Sequence, residues 1–327
     1  MEGNQMGLAK YALRKAIHSL ALIYFVVSLD FVLFRCMPGN PIARILDPRM
    51  KPEMKRYLMH LFGLDKPLWE QYLLYIKNIF TGQMGYSFIT LRPVSEMIME
   101  RLPWTLALMV PAVVLSLVIG TLLGVYASWK RGGFVDVTTT IVTMVFYAMP
   151  VFWLGGLLML YFAVYLGLFP IAGAVTPGAT YHSIFDEIKD VLWHATLPML
   201  TLTLITVAYN FMLTRDVMLD AVSQDFILTA KAKGISERKI MFKHAFRNAL
   251  LPIMTNAVLS LAGTISGAIL TETVFSWPGL GTLTYQAIEA QDYPLLQGLF
   301  FIYTVVTIIA IYFLDLAYGF IDPRIKR

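Results

Sequence analysis

Residues 104–129 read WTLALMVPAVVLSLVIGTLLGVYASW, a run without one charged side chain. A helix rises 1.5 Å per residue and needs about 20 mostly apolar residues to cross a hydrocarbon core. This run is long enough to span a membrane. On the same criterion five further stretches qualify, at 17–37, 137–166, 194–218, 249–275 and 295–320. The composition agrees: 57% of the 327 residues are hydrophobic and 14% charged, with a mean hydropathy of +0.65. Ordinary soluble domains carry about 25% charged residues. The expected fold is therefore an all-α polytopic membrane protein with six transmembrane helices and a small extracytoplasmic helical segment.

Basic residues beside apolar spans set membrane orientation, so the formal charge of +5 points to a lipid bilayer and not to nucleic acid. With a cytoplasmic N-terminus, the inner segments hold Lys10, Arg14 and Lys15, then Lys130 and Arg131, then seven basic residues in 215–247, then Arg324, Lys326 and Arg327. The two short outer loops hold only Lys189, and the nine basic residues of 38–103 count for little in so long a loop. Both ends are expected in the cytoplasm of a cell membrane. The first span is too long for a cleaved signal peptide and lacks a small-x-small site, so it reads as a retained anchor. Cys36 is the only cysteine, which excludes an intrachain disulfide and a cysteine zinc cluster.

The expected organisation is 1–37 as the cytoplasmic N-terminus and first span, 38–103 as the outer helical segment, and 104–327 as a five-helix core with a cytoplasmic loop at 216–247. Within the outer segment, 52–62 and 67–80 each open on a proline and end near Gly63 or Gly82. Residues 93–102 repeat the pattern, and 84–91 is expected to be extended. The segment is either a lid on the bundle or a docking surface for an external partner.

Inside the spans, Gly120 with Gly124, and Gly263 with Gly267, are four apart and place small residues on one helix face. Pro111 and Pro150 are expected to kink their spans. Arg35 and Asp315 lie near span ends. Asp30 lies deeper, rotated by roughly 140° from Arg35 on a helix, so an intrahelical pair is not expected. Asp30 is assigned to a polar pathway or a buried structural contact. The substrate-path candidates are Asp30, Tyr209, Asn210, Ser266 and Glu272.

No Gly-Lys dipeptide, HExxH or GxSxG occurs, and His18, His60, His182, His194 and His244 show no metal-ligand spacing. The chain has no phosphate loop of its own. The inner loop is more informative. Asp225 or Ser223 can cap a helix running to Ala232 or Lys233, Gly234 suits its C′ position, and Ile235 can pack back on the last turn. Ser236 then caps a second helix that carries Glu237 at its positive end. Thr229, Ala230 and Ala232 are small, and Lys231 and Lys233 add charge beside them. Three readings compete: a lipid-headgroup contact, a DNA-reading hairpin, and a rigid knob for a groove on a cytoplasmic protein.

The run Asp225-Phe226-Ile227-Leu228-Thr229-Ala230-Lys231-Ala232-Lys233-Gly234-Ile235-Ser236, followed by His244-Ala245-Phe246-Arg247-Asn248-Ala249-Leu250-Leu251-Pro252, resembles the cytoplasmic coupling motif of permease subunits of ATP-binding-cassette importers, in their dipeptide and oligopeptide branch. Glu272-Thr273-Val274-Phe275-Ser276-Trp277-Pro278-Gly279-Leu280-Gly281, the ending Asp322-Pro323-Arg324, and upstream Leu64-Asp65-Lys66-Pro67-Leu68, Arg92-Pro93-Val94-Ser95-Glu96 and Arg101-Leu102-Pro103 resemble the same family. Leu228-Thr229-Ala230 stands where the broad motif has Glu-Ala-Ala, and Met212 stands where relatives often carry a basic residue.

The resemblance implies a MetI-like permease core that pairs with a second permease, sits on two ATPase subunits and receives cargo from an external binding protein. It implies coupling through Asp225 and Thr229 to Ser236, no enzymatic activity, and no cofactor on this chain, ATP and magnesium being held by the ATPases. Relatives carry dipeptides, oligopeptides, nickel complexes or oligosaccharides. The rival class is a stand-alone secondary transporter or channel, disfavoured because the charges lie mostly near span ends and no inverted repeat of interrupted helices is seen. The Pro278-Gly279 pair is expected to form a type II turn at the outer mouth.

Overall fold

The computed structural model describes residues 2–36, 51–61, 63 and 65–321. Leu64, Arg44, Arg49, the Asp322-Pro323-Arg324 ending, Lys326 and Arg327 lie outside the described residues. The described helices are α1 (Glu2–Cys36), α2 (Pro52–Leu61), α3 (Leu68–Phe80), α4 (Val94–Trp129), α5 (Phe134–Ala148), α6 (Val151–Leu158), α7 (Ile184–Val222), α8 (Asp225–Ala232), α9 (Phe246–Gly263), α10 (Ile269–Val274), α11 (Leu280–Ala290) and α12 (Tyr293–Ile321). Two compact units result, one made of Met1–Pro103 with Gly279–Arg327, the other of Trp104–Pro278.

In the first unit, α1 packs along α12 and against α3 around Ile23, Val27, Ile79, Phe301 and Ile308. One end of the α1/α12 pair is pinned by charge: Lys15 Nζ lies 2.7 Å from Asp315 Oδ2, and the Tyr11 hydroxyl donates to the Asp315 carbonyl at 3.3 Å. Arg35, at the other end of α1, lies over the Phe31 ring. The helices α2 and α3 start at Pro52 and just after Pro67, as the prolines predict. The stretch 84–91 is only partly extended. Tyr86 bridges Pro93, residues 88–90 turn, and Leu91 has φ 55°. This hairpin is held by buried Asp292, which accepts from Ser87 Oγ at 2.5 Å and Phe88 N at 3.0 Å.

Several expectations are corrected. Residues 93–102 are not a separate helix; from Val94 on they open α4, which runs unbroken through Pro103 and Pro111 to Trp129. Each proline removes one amide from a long ladder that the surrounding apolar run sustains. The span at 137–166 bends by 101° between Phe134–Ala148 and Val151–Tyr165, where Met149 and Pro150 are both extended (ψ 132° and 131°). A residue before proline avoids the helical region, which is the cause of the break.

The stretch 249–275 is not one helix either. α9 ends at Gly263, a short 3-10 turn follows at Thr264–Ser266, Gly267 takes φ 71°, and α10 begins at Ile269. Gly267 is thus a hinge outside the helix that carries Gly263, so the two do not share one helix face, and among the described residues nothing lies within 4 Å of a Cβ on Gly263. Among the described residues four helices are long and apolar enough to cross a membrane, or five with the bent pair taken as one span.

The other glycine pair does pack. A Cβ on Gly120 would meet Asn210 Cβ at 2.6 Å, and one on Gly124 would meet Thr214 Cβ at 2.7 Å. The absent side chains let α4 and α7 approach backbone to backbone. Asp136 in the first turn of α5 ties that helix to α7, accepting from Arg215 Nε at 2.7 Å and Nη2 at 3.1 Å while also accepting from Gly132 N at 2.8 Å.

Candidate functional site

The loop at 216–247 is mostly helix. α7 continues to Val222, α8 follows after two residues, and the next helical stretch begins at Glu237, with a π segment at Ile240–Ala245 leading into α9. The N-cap of α8 is Gln224, not Ser223 or Asp225, and its side chain makes no capping bond. Its C-terminus is as expected. Gly234 has φ 70°, its amide donates to the Lys231 carbonyl at 2.9 Å, and the Ile235 amide donates to the Ala230 carbonyl at 3.2 Å. These two bonds make a Schellman cap, for which a left-handed C′ residue is required. Ser236 precedes the second helix without a side-chain capping bond, and Glu237 occupies its first turn.

α8 has two faces. Ile227 and Ala230 are buried, and Ile235 packs behind them, in an apolar cluster with Met218 and Ala221 of α7 and Ala249 and Ile253 of α9. The small side chain of Ala230 therefore serves close approach to the bundle of its own unit. Asp225, Thr229, Lys231, Ala232, Lys233 and Gly234 face outward, and Thr229 Oγ1 turns back to the Asp225 carbonyl at 3.2 Å. Leu228 projects with them, 63% exposed. Beside this face, Ser236, Arg238, Lys239, Phe242 and Lys243 line a shallow basic hollow of about 410 Å³.

Deeper in the same unit lies a chain of polar side chains that crosses three helices. Ser260 Oγ donates to Asn256 Oδ1 (3.5 Å), Asn256 Nδ2 to Asn210 Oδ1 (2.6 Å), Asn210 Nδ2 to Ser116 Oγ (3.1 Å), and Ser116 Oγ to the Val113 carbonyl (2.8 Å). The amide orientations follow from this one-way order of donors and acceptors. Ser116, Asn210 and Ser260 also line a cavity of about 170 Å³ together with Thr206, Tyr147 and Tyr209. Such a wall offers hydroxyls, amides and ring edges without a net charge.

The predicted path residues do not form one cluster. Tyr209, half exposed, and Asn210, buried, share the cavity. Ser266 Oγ donates to the Gly263 carbonyl at 2.7 Å and finishes the 3-10 turn. Glu272 is fully buried and accepts from Thr105 Oγ1 at 3.1 Å and Ala268 N at 3.4 Å. It anchors the 268–277 loop, where Trp277 Nε1 donates to the Trp104 carbonyl at 2.9 Å. Asp30 belongs to the other unit, buried, with Oδ2 unpartnered. Pro278-Gly279 forms no type II turn: Gly279 has φ −95° and caps α11, and the left-handed residue is Ser276, φ 50°. Ser276 sits at the C′ position of α10, with Trp277 N bonded to the Glu272 carbonyl at 2.8 Å.

Ser116, Asn256 and Ser260 escaped the sequence reading. The four-residue spacing of Asn256 and Ser260 placed both on one helix face, which was the only signal.

Comparison with known proteins gives a consistent picture. Residues 119–327 match the family described as binding-protein-dependent transport system inner membrane component, and 8–109 match the N-terminal membrane component of such systems. The chain is 34% identical over 320 residues to the oligopeptide transport system permease protein AppB of Bacillus subtilis, covering 98% of this chain and 100% of that one. It is 36% identical over 316 residues to the di/tripeptide transport system permease protein DppB of Pseudomonas aeruginosa, covering 92% and 94%. The dipeptide permease DppB of Escherichia coli K12 is 34% identical over 319 residues, covering 92% and 94%.

Proposed function

The chain belongs to the family of inner membrane components of binding-protein-dependent transport systems, and from that premise we propose that it forms half of the translocation path of an ATP-driven importer of di- and oligopeptides. It is a permease subunit and not the catalytic one. In this reading a second permease completes the path, two ATPase subunits hold ATP and magnesium, and an external binding protein delivers the cargo. Both termini are cytoplasmic, which places α8 on the ATPase side and the Arg35 end of α1 outside.

The observation that carries the reading is the two-faced α8. Its inner face is locked into the cluster that holds α7 and α9, and its outer face offers Leu228, Thr229, Lys231 and Ala232. An exposed leucine among small and basic residues suits an apolar groove with an acidic rim. Movement of such a groove is passed through Ile227 and Ala230 to α7 and α9. Those helices carry Asn210 and Asn256, so the displacement arrives at the polar chain beside the cavity. A rigid-body shift of packed helices is an ordinary means of alternating access.

The test is Leu228→Asp in the assembled transporter, with ATPase co-purification and cargo-stimulated ATP hydrolysis as readouts. Burying an unpaired carboxylate in the groove should weaken assembly by about tenfold or more. Unchanged values for both would sink the coupling role of α8. The cargo is tested separately, by uptake of labelled di- and tetrapeptides in cells whose other peptide importers are deleted; an assembled but peptide-inactive transporter would overturn the peptide assignment alone.

A further inference from the structure

α3 has 13 residues, a length of about 20 Å, and is too short to cross a bilayer. Its contacts nevertheless lie deep along α1. The Tyr72 hydroxyl is 2.7 Å from Ser28 Oγ and donates to the Tyr24 hydroxyl at 2.9 Å. The Phe31 ring meets those of Tyr72 and Tyr75 at 5.3 Å and 5.5 Å. The part of α1 between Lys15 and Arg35 is about 28 Å long, one hydrocarbon core, and Tyr24 and Ser28 lie near its middle. α12 gives the same depth independently. Phe80 packs edge-on against Phe301 at 6.4 Å, and Phe301 lies about 12 Å along α12 from Tyr293. Ile79 is buried with Phe301, Ile23 and Val27.

Both ends of the α3 segment return to one side. Lys66, before the helix, and Gly85, after it, line a cavity of about 330 Å³ together with Arg35 and Tyr293. Ser87 then donates to Asp292, the residue before α12. The chain therefore enters and leaves at the Arg35 end of α1.

The faces of α3 suit that course. Gln71, Leu74, Tyr75 and Asn78 share the face that borders the cavity. Trp69, Leu73 and Phe80 lie on the opposite face, each more than half exposed. Glu70 is in the first turn, at the entry, and the stem of Lys77 is long enough to carry its charge toward the headgroups. Hydrocarbon supplies no water to a hydroxyl, so polar groups at this depth must satisfy one another. Tyr72, Tyr24 and Ser28 do so, and Ser28 Oγ also donates to the Tyr24 carbonyl at 2.7 Å. We propose that α3 is a re-entrant helix that enters the bilayer from the Arg35 side and returns to it, with Trp69, Leu73 and Phe80 against lipid acyl chains. It places these residues of the 38–103 segment inside the membrane, in the outer leaflet for the orientation proposed above. The inference rests on α1 being a span and not on the cargo or on the coupling role of α8.

The experiment uses the assembled transporter in vesicles doped with a phosphatidylcholine that carries a diazirine at mid-acyl chain or, separately, in the headgroup. After photolysis, carbene adducts on the unaltered protein are mapped by peptide mass spectrometry. The mid-chain probe should mark Leu73 and Phe80 at least roughly half as strongly as the most marked residue of α1, and the headgroup probe should mark them about tenfold less. Marking by the headgroup probe alone would put α3 on the membrane surface and overturn the proposal. Absence of adducts from both probes, with α1 marked, would mean that water or another protein covers this face, which overturns it equally. Tyr72→Phe removes the hydroxyl that reaches Tyr24 and Ser28, and should cut the mid-chain adducts on α3 by about threefold while those on α1 persist. Unchanged adducts on α3 would overturn Tyr72 as the anchor of this depth.

Discussion

At the scale of single residues, backbone conformation and close approach make separable demands. A Cβ on Gly234 meets nothing within 4 Å, so any cost of substitution there comes from φ 70° alone. Gly234→Val should cost roughly 1–2 kcal/mol, and Gly234→Asn, which tolerates the left-handed region, much less. Thermal unfolding of both variants checks the order; equal losses would mean that the turn is not the constraint. Gly120→Ala is the opposite case, an ordinary backbone with Asn210 Cβ 2.6 Å from the added methyl. Separating α4 from α7 should cost about 1–3 kcal/mol. Gly156→Ala, with open space around the new Cβ, should be neutral or slightly stabilising. Similar melting shifts for the two alanine variants would refute the close packing of α4 on α7.

At the scale of elements, the join of α5 to α7 is a fork of two hydrogen bonds on a nearly buried carboxylate. Asp136→Asn keeps an acceptor for Gly132 but removes the charge opposite Arg215. The cost should be roughly 3 kcal/mol, the lower end for a broken buried pair, because Arg215 keeps some solvent. Arg215→Lys should lose the fork and a smaller share. Hydrogen exchange across 130–136 should rise in both; unchanged protection would show that the loop is held by something else. This join illustrates what a sequence conceals. The hinge at Gly234 was legible because a cap is a local event, with glycine, flanking hydrophobe and hydrogen bonds within six residues. The packing of Gly120 and Gly124 was legible as a helix face. The Asp136–Arg215 fork and the Ser116–Asn210–Asn256–Ser260 chain were not, because their partners are 79, 94 and 46 residues apart and spacing says nothing of which helices meet. Likewise, the run at 249–275 is apolar enough to suggest a single span. It is broken by Gly267, whose positive φ is a tertiary choice that composition does not reveal. Pro278-Gly279 misled for the converse reason: a sequence that permits a type II turn does not require one, and Ser276 takes the left-handed position instead.

At the scale of the whole molecule, the outward face of α8 and the cavity beside Tyr209 are proposed to do different work in one transport cycle, and they can be separated. Tyr209 is half exposed and borders the cavity, while the cluster around Ile227 and Ala230 lies elsewhere on α7 and contains neither Tyr209 nor Asn210. Tyr209→Ala removes a ring from the cavity wall without touching the buried Asn210–Ser116 bond. It should leave ATPase co-purification unchanged while lowering the ratio of peptide taken up to ATP hydrolysed, by roughly tenfold if one ring contact of about 1.4 kcal/mol is lost from the path. Leu228→Asp should show the opposite pattern, with lost co-purification and no change in the ratio for whatever complex survives. Coupled uptake and hydrolysis measured on both variants in vesicles distinguishes them. If Tyr209→Ala loses its ATPase partner, or transports with an unchanged ratio, the cavity is structural packing and the path runs along some other face of α7.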